Sequence, residues 1–293
     1  MNVTRLFSCI VCLIIAIVVG GCGDHRIPDV TPGSGSSKLR VKTITQDQPN
    51  NTAKASSFLY DAQGRLGKII TYQTPDSTQA QVENSVYQYD GQNRLTELKR
   101  DVVRRGEPFG TNTERYTYSY NLVGQIAALG YTNNNSSGGS WSVTPQYDGN
   151  NRVIGTAKSF NTGGLSTSEH STFTYTGNNI TFATTTGAIF RNITFPSETV
   201  NTTYTYDTGL NPFYGVFVIP APTAFARIPG SIMTYYTYFG GFANLLNLNQ
   251  NNVLTDGTNT YTYTYNSANL PTSRITTMGG SVTETLHYEY ESY

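Results

Sequence analysis

The chain has 293 residues, with 19 basic and 19 acidic side chains, 22 tyrosines, 28 glycines and three cysteines. A formal net charge of zero gives no electrostatic footprint for DNA or RNA. The cysteines are Cys9, Cys12 and Cys22, so nothing after residue 22 can form an intrachain disulfide or a cysteine-ligated metal site.

Residues 1–21 read as a signal peptide. Arg5 is the only charge before Asp24, Leu6–Val19 is almost wholly apolar, and Gly20-Gly21 follow. The apolar run is 14 residues, short of the roughly 20 needed for a spanning helix. Val19-Gly20-Gly21-Cys22 resembles the lipobox of bacterial lipoproteins. That resemblance implies diacylglycerol on the Cys22 thiol, cleavage before it, and a membrane as partner through the lipid. Gly23 after the cysteine implies outer-membrane sorting. Cys9-x-x-Cys12 has redox spacing but falls inside the leader that is removed.

Residues 22–37 then form a flexible tether rich in Pro, Gly and Ser. About 15 such residues reach roughly 20 Å. A first strand is expected at Lys38–Ile44, followed by a polar loop to about Ser56.

From 38 to 293 the dominant signal is a repeat. Tyrosine followed by a turn residue recurs at Tyr60, Tyr89, Tyr120, Tyr147, Tyr175, Tyr206 and Tyr265, at intervals of 29, 31, 27, 28, 31 and 59. A fixed period of this size marks a repeat architecture. Four positions beyond six of these tyrosines stand Gly64, Asn93, Gly124, Asn151, Asn179 and Asn269. Gly and Asn most readily adopt φ > 0, so these six are the expected left-handed positions of hairpin loops. The preceding Asp or Asn caps each turn. The strands leading into the turns alternate aromatic and hydroxyl residues, as in Tyr116-Thr117-Tyr118-Ser119-Tyr120 and Tyr261-Thr262-Tyr263-Thr264-Tyr265. Period two sends aromatics to one face, the core, and hydroxyls to the other. After each turn, apolar pairs such as Leu66/Ile69 and Leu95/Leu98 are three apart, which predicts bulges or strong twist.

The expected fold is therefore all-β: a long antiparallel hairpin meander over 38–293, strongly twisted and curled into a trough or partly open barrel. An irregular excursion interrupts it at about 208–252, where Pro212, Pro220, Pro222 and Pro229 break strands. One helical turn is expected near Phe242–Leu248. The segment is open to three readings: a plug at one opening, a binding loop, or a degenerate repeat around Tyr238.

Tyr60-Asp61-Ala62-Gln63-Gly64-Arg65-Leu66 resembles the YD repeat of Rhs and teneurin-type proteins, and Tyr89–Leu95 and Tyr147–Val153 match it with Asn for Gly. The C-terminal run from Tyr261 to Tyr293 and Asp207 to Phe213 resemble small Bacteroidota lipoproteins with degenerate YD-like repeats. The resemblance implies the hairpin fold and is nearly silent on activity. The toxin-enclosing role of large Rhs shells does not carry over, because the 272 residues left after a 21-residue leader cannot enclose a toxin and no self-cleaving core motif is present.

Motifs for chemistry are sparse. No HExxH, G-x-S-x-G or P-loop occurs, and no cofactor is expected. Glu284-x-x-His287 has ligand-like spacing, but on a strand the two fall on opposite faces. Asp148-Gly149-Asn150-Asn151 resembles a calcium loop but is what the hairpin needs. Asp61, Asp90, Asp148 and Asp207 pose as glycosidase carboxylates but are explained as turn residues. Lys99-Arg100 with Arg104-Arg105 reads as an exposed hairpin arm, and Trp141 as a loop aromatic that either stacks on a sugar or folds back on the sheet. The favoured function is a lipid-anchored envelope or cell-surface protein with a non-enzymatic binding or structural role, toward a glycan or an envelope protein. The alternative is an extracytoplasmic carbohydrate-active enzyme with a site of scattered Asp, Glu and Tyr. Converging carboxylates in a pocket would favour the second; aspartates confined to turns favour the first.

Overall fold

The structure, a computed structural model, describes residues 39–76, 82–103, 111–134, 139–162, 164–191, 193–194, 196–216, 226–227, 234–235 and 245–293. The leader, Cys22 and the tether lie outside the described residues. The chain forms β1 (Leu39–Gln48), β2 (Thr52–Tyr60), β3 (Leu66–Thr74), β4 (Val82–Tyr89), β5 (Leu95–Val103), β6 (Thr111–Tyr120), β7 (Ile126–Asn133), β8 (Ser140–Tyr147) and β9 (Val153–Thr162). It continues through β10 (Leu165–Thr176), β11 (Asn179–Arg191), β12 (Glu198–Thr203), β13 (Thr205–Leu210), β14 (Asn251–Thr255), β15 (Asn259–Tyr265), β16 (Pro271–Met278) and β17 (Ser281–Ser292).

Each strand from β1 to β11 pairs antiparallel with the next. β11 then pairs β12, which runs on through Tyr204 (its N–H bonding the Thr181 carbonyl, 3.0 Å) into β13; β13 pairs β14, and β14 to β17 follow in order. β17 returns to β1, from Leu39↔Ser292 to Gln46↔Leu286. The ladder thus runs round into a nearly closed barrel. Its thinnest join is β14 to β15, held by the one register pair Thr255↔Thr260.

The tyrosine-bearing turns all lie at one end of the barrel, here called the turn rim. Leu39, where β1 begins, and Ser292, near the end of β17, meet at the same rim. Gly64, Asn93, Gly124, Asn151 and Asn269 have φ between 61° and 86°. Asn179 does not. It opens β11, and the left-handed residue of that hairpin is Gly177 (φ 60°). The cause is length: Tyr175 pairs Ile180 five residues on, whereas Tyr60 pairs Leu66 six on. Asn151→Val should therefore destabilise by about 1–2 kcal/mol through left-handed strain, and Asn151→Gly should recover most of it. Asn179→Gly should recover nothing relative to Asn179→Val, because Asn179 acts through hydrogen bonds to Asn251 (both 3.0 Å). Urea unfolding of the four variants decides this.

A bulge follows every such turn. Tyr60 faces Leu66 while Leu59 faces Lys68, leaving Gly67 as the extra residue. The same shift recurs at Gln88/Tyr89, Ser119/Tyr120, Gln146/Tyr147, Thr174/Tyr175 and Thr264/Tyr265. One extra residue turns a spacing of three into a shared face, so Leu66 with Ile69, Leu95 with Leu98 and Ile126 with Leu129 all point inward and are buried.

The faces follow the alternation. Tyr118 is 7% exposed and Tyr175, Tyr206 and Tyr263 are half-buried, while Thr117, Thr174, Thr205 and Thr262 are exposed. Phe213, Val216 and Leu248 join the same core cluster as Leu66 and Tyr116. They enter from the turn rim, where Leu210 N–H bonds the Asn269 carbonyl (2.9 Å). A single 3-10 turn, Leu245–Leu248, leads back to β14. Two local expectations fail. The polar stretch after Ile44 is paired strand out to Gln48 and again from Thr52, because cross-strand pairing overrides its composition. Trp141 lies in β8, not in a loop, and is 4% exposed, because its inward parity places it over the core.

Candidate functional site

The turn unit assigns work to the named residues of Tyr-Asp-x-x-Gly/Asn-Arg-Leu and leaves the two x side chains free to vary. Asp61 Oδ1 accepts the N–H groups of Gln63 (3.0 Å) and Arg65 (2.9 Å), and Oδ2 accepts from Arg65 Nε (2.7 Å). Asp90 with Arg94 and Asp148 with Arg152 repeat the pattern. Asn121 with Gln125 gives a neutral version, Asn121 Nδ2 donating to Gln125 Oε1 (2.8 Å).

The units are also bonded to one another. Tyr89 Oη donates back to the Leu66 carbonyl (2.7 Å), Tyr120 to Leu95 (2.6 Å), Tyr147 to Ile126 (3.1 Å) and Tyr175 to Val153 (2.8 Å). Tyr206 reaches Ile180, Tyr290 reaches Pro271 (2.8 Å) and Tyr60 reaches Val41 (2.6 Å), so the series continues across the β17–β1 seam. In the other direction Arg65 stacks on the Tyr89 ring (4.3 Å), Arg94 on Tyr120 (4.6 Å) and Arg152 on Tyr175 (4.8 Å). Each such stack contributes about 0.5–1 kcal/mol at a partly exposed site. Burial pushes the phenols of Tyr60, Tyr120, Tyr147 and Tyr175 upward, so they stay neutral donors.

The turn carboxylates have the opposite balance. Burial tends to raise Asp61, but the Arg65 side chain and the backbone N–H groups of Arg65 and Gln63 outweigh it and lower its pKa. Asp90 and Asp148 are lowered in the same way, by Arg94 and Arg152. A carboxylate with a lowered folded-state pKa binds fewer protons folded than unfolded, so its contribution is present above the unfolded value of 3.8 and is lost as pH falls through the folded value. Stability should therefore drop on acidification below about pH 4, and Asp90→Asn should flatten that slope. Thermal melts between pH 2 and 6 check this.

Away from the rim the interior turns polar. Ser56 and Thr71 share a hydrogen bond (2.8 Å), next to a buried triad: Arg100 Nη2 bonds Glu83 Oε2 (2.5 Å) and Nη1 bonds Glu114 Oε2 (2.8 Å). Tyr116 Oη also donates to Glu114 (3.1 Å). Arg100 is 2% exposed, which corrects its reading as part of an exposed arm. It shares the inward parity of Leu98 and Val102 in β5; Lys99, its neighbour, faces out and pairs Asp101 (2.9 Å). Arg104 and Arg105 lie outside the described residues. Further round, Trp141 stacks on Tyr131 (5.3 Å, 10°), with Lys158 over its indole (5.3 Å). Lys158 and Glu169 are cross-strand partners. Burial lowers the Lys158 ammonium to about 8 against the pull of Glu169, and burial raises Glu169.

The sequence candidates do not assemble into one centre. Asp61, Asp90 and Asp148 sit on successive turns, each tied to its own arginine, and Asp207 accepts from Gly209 N–H (2.8 Å) and Tyr265 Oη. Glu284 faces inward to Arg274 (2.5 Å) and His287 faces outward to Asp47 (3.2 Å). Among the described residues no group of three or more His, Cys, Asp or Glu is placed to hold a metal ion. A small cavity of about 20 Å³, room for about one water, lies between Phe213, Asn247, Asn252, Arg274 and Tyr288. Among the described residues no acceptor reaches the buried Arg274 Nε. Sequence reading missed the Glu83–Arg100–Glu114 triad; strand parity with Leu98 was the available signal.

The outer face mixes charged and hydroxyl side chains with exposed apolar ones, among them Leu59, Val86, Ile154, Phe182 and Ile275. Arg115 pairs Glu97 (2.6 Å), Ser142 meets Ser159 (2.9 Å), Thr186 meets Thr199 (2.9 Å) and Thr264 meets Ser273 (2.7 Å), all exposed pairs. Among the described residues no helix is long and apolar enough to cross a membrane, which leaves strands out of account.

Fold and rim together define a nearly closed antiparallel β-barrel whose rim turns each follow a tyrosine. Neither a protein-family model nor a curated protein sequence matches the chain. It is similar in structure to a porin-like protein from Bacteroides uniformis ATCC 8492, at 13% identity and a TM-score of 0.48, over 86% of this chain and 98% of that one. A porin-like protein from Bacteroides vulgatus ATCC 8482 is similar at 8% identity and a TM-score of 0.36, over 86% of this chain and 99% of that one.

Proposed function

We propose that the chain is a lipid-anchored envelope protein whose barrel is a rigid, non-enzymatic binding or structural module of the YD-repeat type. The observation that carries this reading is the charge interspersed over the exterior. A barrel that spans a bilayer presents lipid with an apolar band about 25 Å tall. Here the outward Leu59, Val86, Ile154 and Ile275 are interspersed with Glu97, Lys99, Asp101, Arg115, His287 and Glu289, charges that a lipid-facing band would have to desolvate, so the barrel stands in water and needs another attachment. The Val19-Gly20-Gly21-Cys22 lipobox supplies it. A binding or structural role is supported by the carboxylates: Asp61, Asp90, Asp148, Glu83, Glu114 and Glu284 are each engaged by an arginine. The partner expected for such a module is a glycan or a second envelope protein.

Cys22→Ala should abolish lipid labelling and release the protein from the membrane fraction. Mass spectrometry of wild-type protein should find an acylated N-terminal Cys22. An unacylated wild type, with the variant still membrane-bound, would overturn the anchoring.

A further inference from the structure

We infer that the turn rim is the barrel's membrane-facing surface and that the tip Leu122-Val123 inserts into the lipid headgroup region; this rests on the lipid anchoring proposed above. The tip is an outlier among its equivalents. The corresponding positions of the other turns are Ala62-Gln63, Gly91-Gln92, Gly149-Asn150, Gly177-Asn178, Thr208-Gly209 and Ser267-Ala268. Leu122 is 107% exposed and Val123 54%, so Leu122 is fully open to solvent and Val123 about half so. Nothing in the turn geometry demands them, since the left-handed residue is Gly124 and the cap is Asn121.

The tip also lacks formal charge, as do the turns at 176 and 266, whereas both turns flanking it in the sequence are charged. The turns at 61, 90 and 148 each carry an Asp–Arg ion pair; the turn at 121 carries the neutral Asn121–Gln125 pair. A tip that enters lipid gains from losing formal charge, because charges are costly to desolvate. On the same rim Tyr293 is 54% exposed, an aromatic suited to the interface, and the Arg40 guanidinium over its ring (5.4 Å) is neutralised by Glu291 (2.7 Å).

The lipid bilayer is the occupant because of where the described chain starts. Leu39 lies on this rim, 17 residues after Cys22. A flexible segment of that length has an r.m.s. reach of roughly 20–25 Å. The ten residues of β1 span about 33 Å, so the opposite rim is the farther one from the anchor. Exposed Met278 and Val282 mark that opposite rim and serve as the internal comparison.

The test uses protein purified from its native envelope and reconstituted in phosphatidylethanolamine–phosphatidylglycerol vesicles containing brominated phospholipid. Wild-type protein reports only buried Trp141 and sets the baseline. Leu122→Trp, or Val123→Trp if the first fails to fold, should add blue-shifted emission that brominated lipid quenches. Val282→Trp should add red-shifted emission that it does not. Equal quenching at both rims, or preferential quenching at Val282→Trp, would overturn the proposal. Mass spectrometry of the same samples reports acylation separately. If Cys22 proves unacylated, its thiol is coupled to a maleimide-bearing lipid and the same comparison is read, so that failure of the anchor and failure of the rim are told apart.

Discussion

Arg100→Met should destabilise the barrel by about 3–5 kcal/mol, because it leaves Glu83 and Glu114 as buried carboxylates without their shared cation. Both are under 5% exposed, so water cannot take over the role of the guanidinium. The neighbours cannot move apart either, since Ser85↔Arg100 and Arg100↔Glu114 are fixed in register across three strands. The triple variant Arg100→Met, Glu83→Gln, Glu114→Gln should recover much of the loss, because amides do not carry the charge that has to be desolvated. Guanidinium unfolding of the single and triple variants checks both statements. A single variant within about 1 kcal/mol of wild type would mean that the triad is wet and contributes little.

Removing residues 281–293 should prevent folding altogether. β17 supplies Leu286 at 0% and Tyr288 at 7% exposure to the core, and its ladders to β1 and β16 close the ring. Without it β1 and β16 become open edges facing an uncovered aromatic interior. Fully buried side chains of this size contribute about 1.5–3 kcal/mol each, before the two ladders are counted, against a total stability of about 5–15 kcal/mol for a domain. The truncated protein should be recovered as aggregate, while a deletion of Tyr293 alone should remain soluble. Soluble yield and far-ultraviolet circular dichroism of the two separate the outcomes.

Much of this architecture was written in the sequence because the repeat is local. The turn unit spends Gly or Asn where φ must be positive, and the tyrosines alternate at strand period, so turn positions and core face were legible from short windows. The failures have particular physical causes. Asn179 sits at the right spacing from Tyr175 in a loop one residue shorter, which moves the left-handed position to Gly177. Arg100 was misread because a charged residue in a basic run looks exposed, and only its two buried acidic neighbours, contributed by other strands, make the burial tolerable. Trp141 was misread because the Gly and Ser around it suggest a loop. Closure was the least legible feature: Arg40 bonds Glu291 (2.7 Å) across 251 residues, and no local pattern announces such a pair. The interior triad and the Lys158–Glu169 pair were hidden for the same reason, being made by register between strands.

The rim contacts described above have a consequence for cooperativity. Along the hairpins each tyrosine holds its predecessor and each stacked arginine holds its successor. A linear array of repeats wired in this way has two frayed ends and needs specialised caps. Here the chain of contacts passes through Tyr60–Val41 and Tyr290–Pro271, so the array bites its own tail and terminal units are abolished. In nearest-neighbour terms the barrel is a ring of coupled elements, in which losing any one unit costs two interfaces rather than one. Partial unfolding from an end is then no longer the easy route. The weak link moves to the place where the ring is thinnest, between β14 and β15, and hydrogen exchange should begin there rather than at the strands nearest the chain termini.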